Sequence, residues 1–165
     1  MRRLALALFA CTAALPLWAE VVENDLLKVF EEKWVQSKDP SQNGILMYLT
    51  QERSAAGEYS SIRCEGSAQS IRLAYPKRRP GNDIGVTVDG TSTRVPANFT
   101  GKTKDPHFRK GNIFSYELVF ADIQTQTAFL ESVRRGRMLT VEGQSLPVEL
   151  AGASQAIREQ ATYCR

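Results

Sequence analysis

Ile84-Gly85-Val86-Thr87-Val88-Asp89-Gly90-Thr91-Ser92-Thr93-Arg94-Val95 is the stretch on which the fold turns. Ile84, Val86 and Val88 alternate with small or polar residues, the period of a strand with one buried face. Asp89-Gly90 then supplies two residues that accept positive φ, as a two-residue type I′ hairpin turn requires. Thr91 to Val95 is rich in β-branched residues and reads as the returning strand.

The same period extends on both sides. Upstream, Ile71, Leu73 and Tyr75 alternate, Ile62 and Cys64 share one face of another strand, and Ile45 to Thr50 is a short apolar run. Downstream, Phe114, Tyr116, Leu118 and Phe120 form the clearest strand pattern, with Ser115 and Glu117 on the opposite face. Met138 to Glu142 and Leu146 to Leu150 read as two further strands around Gly143.

Three segments follow a helical period instead. Val22, Leu26, Phe30 and Trp34 recur every four residues, with Leu27 beside them, predicting a helix over 21–36 that ends before Asp39-Pro40. Within it, Trp34-Val35-Gln36 also suits an extended chain. Thr125 to Arg135 carries Phe129, Leu130 and Val133, with Gly136 as its C-cap. Ser154 is placed to cap a final helix with Ala153, Ile157, Ala161 and Cys164 on one face. About seven or eight strands with three short helices predict a β-rich α+β domain. Its expected form is a twisted antiparallel β-sandwich or partial barrel with an N-terminal and a C-terminal helix, closed by one disulfide.

Residues 1–19 are set apart from this domain. Met1-Arg2-Arg3 is a short positive start, Leu4 to Trp18 is almost wholly apolar, and Ala19 is a small residue just before polarity returns at Glu20. That is the composition of a secretory signal peptide cleaved after Ala19. The apolar run falls short of the roughly 20 residues of a membrane span. A second reading lipidates Cys11, since Leu8-Phe9-Ala10-Cys11 loosely resembles a lipobox, but Phe9 suits that motif poorly and the apolar run continues past Cys11. The expected location is therefore the periplasm or the exterior, with no stable membrane span after signal removal.

Taking 19 residues from 165 leaves 146, the common size of one domain, and residues 20–165 carry no repeat or linker. Arg2 and Arg3 leave with the signal, so 21 Lys+Arg against 18 Asp+Glu becomes 19 against 18. The remaining charge is uneven: residues 20–62 hold 8 acidic and 4 basic side chains, residues 63–110 hold 4 acidic and 10 basic. A central basic zone suits an acidic partner or anionic surface, or is simply a solvated face. Its densest point is the turn Lys77-Arg78-Arg79-Pro80-Gly81, which marks Lys77, Arg78 and Arg79 as partner-contact candidates. Arg134-Arg135-Gly136-Arg137 is a second basic turn, and its first two residues suit the dipole of the helix they end.

With Cys11 removed, Cys64 and Cys164 remain, 100 positions apart. An even count in an oxidising compartment predicts a bridge. Neither cysteine belongs to a Cys-x-x-Cys pair or a histidine cluster, so redox and metal roles are not expected.

Signals of chemistry are thin. His107, the single histidine, follows Asp105-Pro106 in a basic stretch and reads as a surface-loop residue. No nucleophile elbow, zincin, P-loop or dinucleotide fingerprint is present. Asp83, Asp89, Glu117 and Asp122 are scattered carboxylates, with Glu117 expected on a solvated face. Asn98-Phe99-Thr100 is a formal glycosylation sequon and is taken as chance. Nucleic-acid binding would want basic patches interleaved with exposed aromatics and is disfavoured by export.

Spaced residues resemble a known group. Trp34-Val35 … Asp39-Pro40, Ser61-Ile62-Arg63-Cys64, Phe114-Ser115-Tyr116, Ala128-Phe129-Leu130 and Leu150-Ala151-Gly152 … Ala156-Ile157 … Cys164 are similar to small bacterial periplasmic proteins. The pattern, over residues 34–164, resembles type VI secretion accessory proteins of the VasI/TagO type and, more loosely, invasion-associated locus B proteins. The resemblance implies a non-enzymatic, disulfide-closed, β-rich exported protein that contacts other envelope proteins, with no catalytic residue to carry over. The expected function is an accessory or binding protein of the cell envelope without cofactor, metal or nucleic acid. Two other classes stay open: an immunity or inhibitor protein that blocks an envelope-acting enzyme, and a small hydrolase using His107 with a nearby carboxylate.

Overall fold

A computed structural model describes residues 21–104 and 111–164. The expectations for the signal segment, for Cys11, and for Asp105 and His107 fall outside the described residues. The domain is β-rich as the alternation predicts: its eleven described strands join antiparallel in one open sheet, accompanied by three α-helices.

In chain order the elements are β1 (Val21–Glu23), β2 (Leu27–Phe30), β3 (Trp34–Ser37), β4 (Leu46–Tyr48), α1 (Gln51–Ala56), β5 (Tyr59–Glu65) and β6 (Ala68–Tyr75). They continue as β7 (Asp83–Val88), β8 (Thr91–Lys104), β9 (Asn112–Leu118), α2 (Ile123–Arg135), β10 (Met138–Val141), β11 (Val148–Glu149) and α3 (Ala153–Ala161). The sheet order is β1-β2-β3-β4-β5-β6-β9-β8-β7-β10-β11.

The N-terminal helix over 21–36 is corrected to a three-stranded meander. A spacing of four is even, so it places residues on one face of a strand as readily as on one face of a helix. Two local breaks decide against the helix. Asn24 Oδ1 accepts from the amides of Leu26 and Leu27, closing the first turn. Glu31 and Glu32 both take positive φ at the second. Trp34-Val35-Gln36, the part that also suited an extended chain, is β3. A further helix, α1, went unread because its apolar content is low; Thr50 caps it by accepting from Arg53 N–H.

One register row explains the core. Phe30, Trp34, Tyr48, Ser60, Leu73, Tyr116 and Phe99 are successive cross-strand partners from β2 to β8. All are buried except Phe99, which is 42% exposed. Their side of the sheet is concave. Side chains from both ends of the sheet, such as Trp34, Ile62, Val86 and Val141, form one core cluster with Leu130 and Val133 of α2 and Ile157 of α3. The structure is thus a partial barrel with two helices closing its hollow side.

The Asp89-Gly90 turn is the tight hairpin expected, with φ of 46° and 87°. The returning strand, however, runs well past Val95 to Lys104. Pro96 and Gly101 resemble strand breakers in sequence. Here they sit at a change of partner and at a bulge: β8 pairs with β7 through Pro96, then with β9 from Ala97, with a register shift between Phe99 and Gly101.

Helix α2 begins two residues earlier than Thr125, at Ile123, because Asp122 caps it through Thr125 N–H at 2.7 Å. Gly136 does end it, yet with φ −75°. Its glycine is required by space: a Cβ there would lie 2.6 Å from Val88 Cγ1 and 3.0 Å from Leu150 Cδ1. The cap of α3 is corrected from Ser154 to Gly152, in the left-handed region at φ 76°. Its inward face is Ala153, Ala156, Ile157 and Gln160, while Ala161 is exposed. Cys164 follows the helix and is joined to Cys64 on β5, closing the domain over 100 residues. Gln160 supports the bridge, its Nε2 3.2 Å from Cys64 Sγ and its Oε1 accepting from Gln69 Nε2 at 2.7 Å.

Candidate functional site

Two surfaces stand out, and the more chemically defined one joins segments distant in sequence. The β6–β7 turn carries Lys77 and Arg78; the second half of β8 carries Phe99, Lys102 and Lys104. Strand β9 lies between β6 and β8 and brings them together. Arg78 lies over the Phe99 ring at 4.9 Å, and Lys102 lies over the Phe114 ring at 5.7 Å. Phe99 touches Phe114 and Tyr116 at centroid distances of 6.5 and 5.4 Å. The result is a row of alternating cations and aromatic faces.

Half of the described Lys and Arg side chains are neutralised locally. Lys28, Lys33, Lys38, Arg72, Arg79, Arg94, Arg134 and Arg135 each pair with a carboxylate. Lys77, Arg78, Lys102 and Lys104 make no ion pair among the described residues. Four of the eight described cations without an ion pair thus lie on the β6–β7 turn and the end of β8; the others, Arg53, Arg63, Arg137 and Arg158, lie on other parts of the fold.

Of the three residues marked in the basic turn, Lys77 and Arg78 are exposed, and Arg78 belongs to this row. Arg79 does not. It lies over the Tyr75 ring at 5.0 Å, donates to the Glu142 carbonyl and pairs with Glu142 Oε1 at 3.4 Å, tying the β6–β7 turn to the end of β10. Lys102, Lys104 and Phe99 were missed as site residues because they are distant in sequence; the count of 10 basic residues over 63–110 was the only signal. Asn98 of the sequon is exposed on the same strand.

The scattered carboxylates have structural partners. Asp89 accepts from Arg137 and Met138 amides at 3.0 and 2.9 Å, Asp83 pairs with Arg94, and Asp122 caps α2. Glu117 is half-buried on the convex face, where Arg72 Nε donates to it at 3.0 Å and also engages Glu65 at 2.7 Å through Nη2. Burial, aided by the Glu65 charge, pushes the Glu117 carboxyl above its ordinary value against the pull of Arg72. Among the described residues no group of three His, Cys, Asp or Glu is placed to hold a metal ion.

The second surface is an open groove of about 600 Å³ between the β7–β8 hairpin and α2. Val86, Val95, Val119, Phe120, Ala128 and Phe129 line it, and the Phe120 and Phe129 rings meet at 5.4 Å. Arg94, at its rim, is taken by Asp83 and Glu142. Among the described residues no helix is long and apolar enough to cross a membrane. No protein-family model, no curated protein and no solved structure matches this chain.

Proposed function

We propose that the protein is an exported accessory or binding protein that works through contact with an acidic region of another envelope protein. The supporting observation is the set of four unpaired cations, Lys77 and Arg78 on the β6–β7 turn and Lys102 and Lys104 at the end of β8, with Arg78 stacked on exposed Phe99 and Lys102 over Phe114. Cations held on a rigid sheet steer an acidic partner and fix its register, while an exposed ring supplies apolar contact at the centre of the patch. Export is supported by the Arg2-Arg3 start with the following apolar run, and by the Cys64–Cys164 bridge, which persists in an oxidising compartment. No residue is assigned a catalytic role.

The test compares the purified protein with a quadruple alanine variant of Lys77, Arg78, Lys102 and Lys104, each immobilised and exposed to envelope extract at low and high salt. The wild type is expected to retain partners that salt releases and that the variant fails to retain. Equal retention by both proteins overturns the reading.

A further inference from the structure

Strand β8 changes partner partway along, and the change leaves an edge open. On one side, β7 reaches only to Asp83, opposite Pro96, and Ala97 N–H makes the last bond on that side, to Asn82 O at 2.8 Å. On the other side, β9 stays paired through Lys104. From Asn98 to Lys104, seven residues, β8 is thus hydrogen-bonded on its β9 side alone among the described residues. An ordinary strand is about 5–6 residues, so a whole strand fits here.

The direction of the free groups follows from the pairing. Val119 N–H bonds Pro96 O at 2.8 Å, which sets the phase of the β8–β9 ladder. Alternation, carried across the one-residue bulge at Thr100, turns the N–H groups of Phe99, Lys102 and Lys104 toward the open side. The same stretch presents Phe99 and Lys102 on the concave face, with Arg78 over the first ring.

We infer that the open edge of β8, residues 98–104, takes up an extended acidic segment of a partner protein as an added antiparallel or parallel strand, with the partner's carboxylates meeting Arg78, Lys102 and Lys104. The inference rests on the binding role proposed above and names its mode. Main-chain bonds give such additions their affinity and side chains give specificity. Charge decides the occupant. Two copies of this chain laid edge to edge would set Lys102 and Lys104 against their counterparts, the charge pattern by which natural sheets reject self-pairing. An acidic strand meets the same cations favourably.

The experiment measures binding of the intact protein to a synthetic eight-residue peptide alternating Glu and Val, and to the same peptide with alternate backbone nitrogens methylated. N-methylation removes donors from one edge and keeps every charge. The unmethylated peptide is expected to bind at least about tenfold more tightly, and to slow amide exchange at Phe99, Lys102 and Lys104. Equal binding of both peptides, weakened alike in the quadruple alanine variant, overturns strand addition and leaves the basic surface standing. Equal binding to wild type and variant overturns the basic surface as well. Tighter binding of an oligothymidylate of matched charge than of either peptide overturns the acidic-polypeptide assignment.

Discussion

Arg78 and Phe99, 21 positions apart in sequence, form a stacked pair at the open margin of the sheet, with the guanidinium carbon 4.9 Å from the ring centroid. Phe99 ends a cross-strand row that is buried everywhere else. A ring left 42% exposed at that position contributes little to the core, and a surface cation–π pair adds about 0.5–1 kcal/mol. Phe99→Ala is therefore expected to change urea stability by about 1 kcal/mol while weakening partner retention severalfold. A stability loss of core size, or retention equal to wild type, would contradict this assignment.

Cys64→Ser opens a loop of 100 residues that ties the end of α3 to β5. The chain-entropy argument sets the loss at up to about 4.7 kcal/mol. The midpoint of denaturant unfolding should fall accordingly, and Cys164→Ser should match it because both remove the same link. Reduction of the wild type should reproduce both variants.

Arg53 is 1% exposed and holds the β10–β11 connection in place. Its guanidinium donates to the carbonyls of Leu146 and Pro147 and to Gln144 Oε1 at 2.6 Å, while Glu58 accepts from Ser145 N–H at 2.8 Å beside it. Arg53→Met keeps the stem but leaves those carbonyls without their donor and removes the positive charge that acts on buried Glu58. The expected cost is about 3–5 kcal/mol, read as a fall in unfolding midpoint. Adding Glu58→Gln to Arg53→Met should recover part of it, since the stranded charge is then gone.

Glu117 makes stability depend on pH in a defined direction. Its carboxyl is raised above the ordinary value by burial first and by Glu65 second, with Arg72 pulling the other way and Arg63 also on that face. An acid raised in the folded state holds its proton there more tightly than when unfolded. It therefore weakens the fold as pH rises from the ordinary glutamate range through its raised value. Glu117→Gln removes this component. Relative to wild type, the variant should gain stability on passing from below that window to neutral pH, measured by urea unfolding at each pH. A difference independent of pH would show that Arg72 offsets the burial fully.

Gly136→Ala tests whether space or conformation demands the glycine that ends α2. At φ −75° alanine has no backbone penalty, but its Cβ would press on Val88 and Leu150. Overpacking of this kind costs about 1–3 kcal/mol. Pairing the change with Val88→Ala should relieve it.

Much of the strand content was legible in sequence because half-buried antiparallel strands write their period directly into the chain. Ile71 to Tyr75 and Ile84 to Val88 with Asp89-Gly90 became strands near their expected bounds, and the strand expected over Phe114 to Phe120 formed but ends at Leu118. The helix carrying Phe129, Leu130 and Val133 was equally plain. Short elements were not. Val22, Leu26, Phe30 and Trp34 fit two periods at once, and the turns at Asn24 and Glu31-Glu32, together with β4 pairing Trp34 to Gln36, select strand over helix. For the candidate site, Lys77 and Arg78 were legible as a basic turn, but nothing local distinguished them from Arg79.

By itself, then, the sequence determined the strand period, the Asp89-Gly90 turn and the candidacy of Cys64 and Cys164 for pairing, because each depends on near neighbours or on residue type alone. Only the tertiary structure decided that Phe99 of β8 would lie under Arg78 and Phe114 of β9 under Lys102, that Glu142 would claim Arg79, and that β8 would outrun β7 to leave its edge open. Those outcomes depend on which strand lies beside which and where each one ends, and long-range pairing carries no periodic trace in the residues it joins.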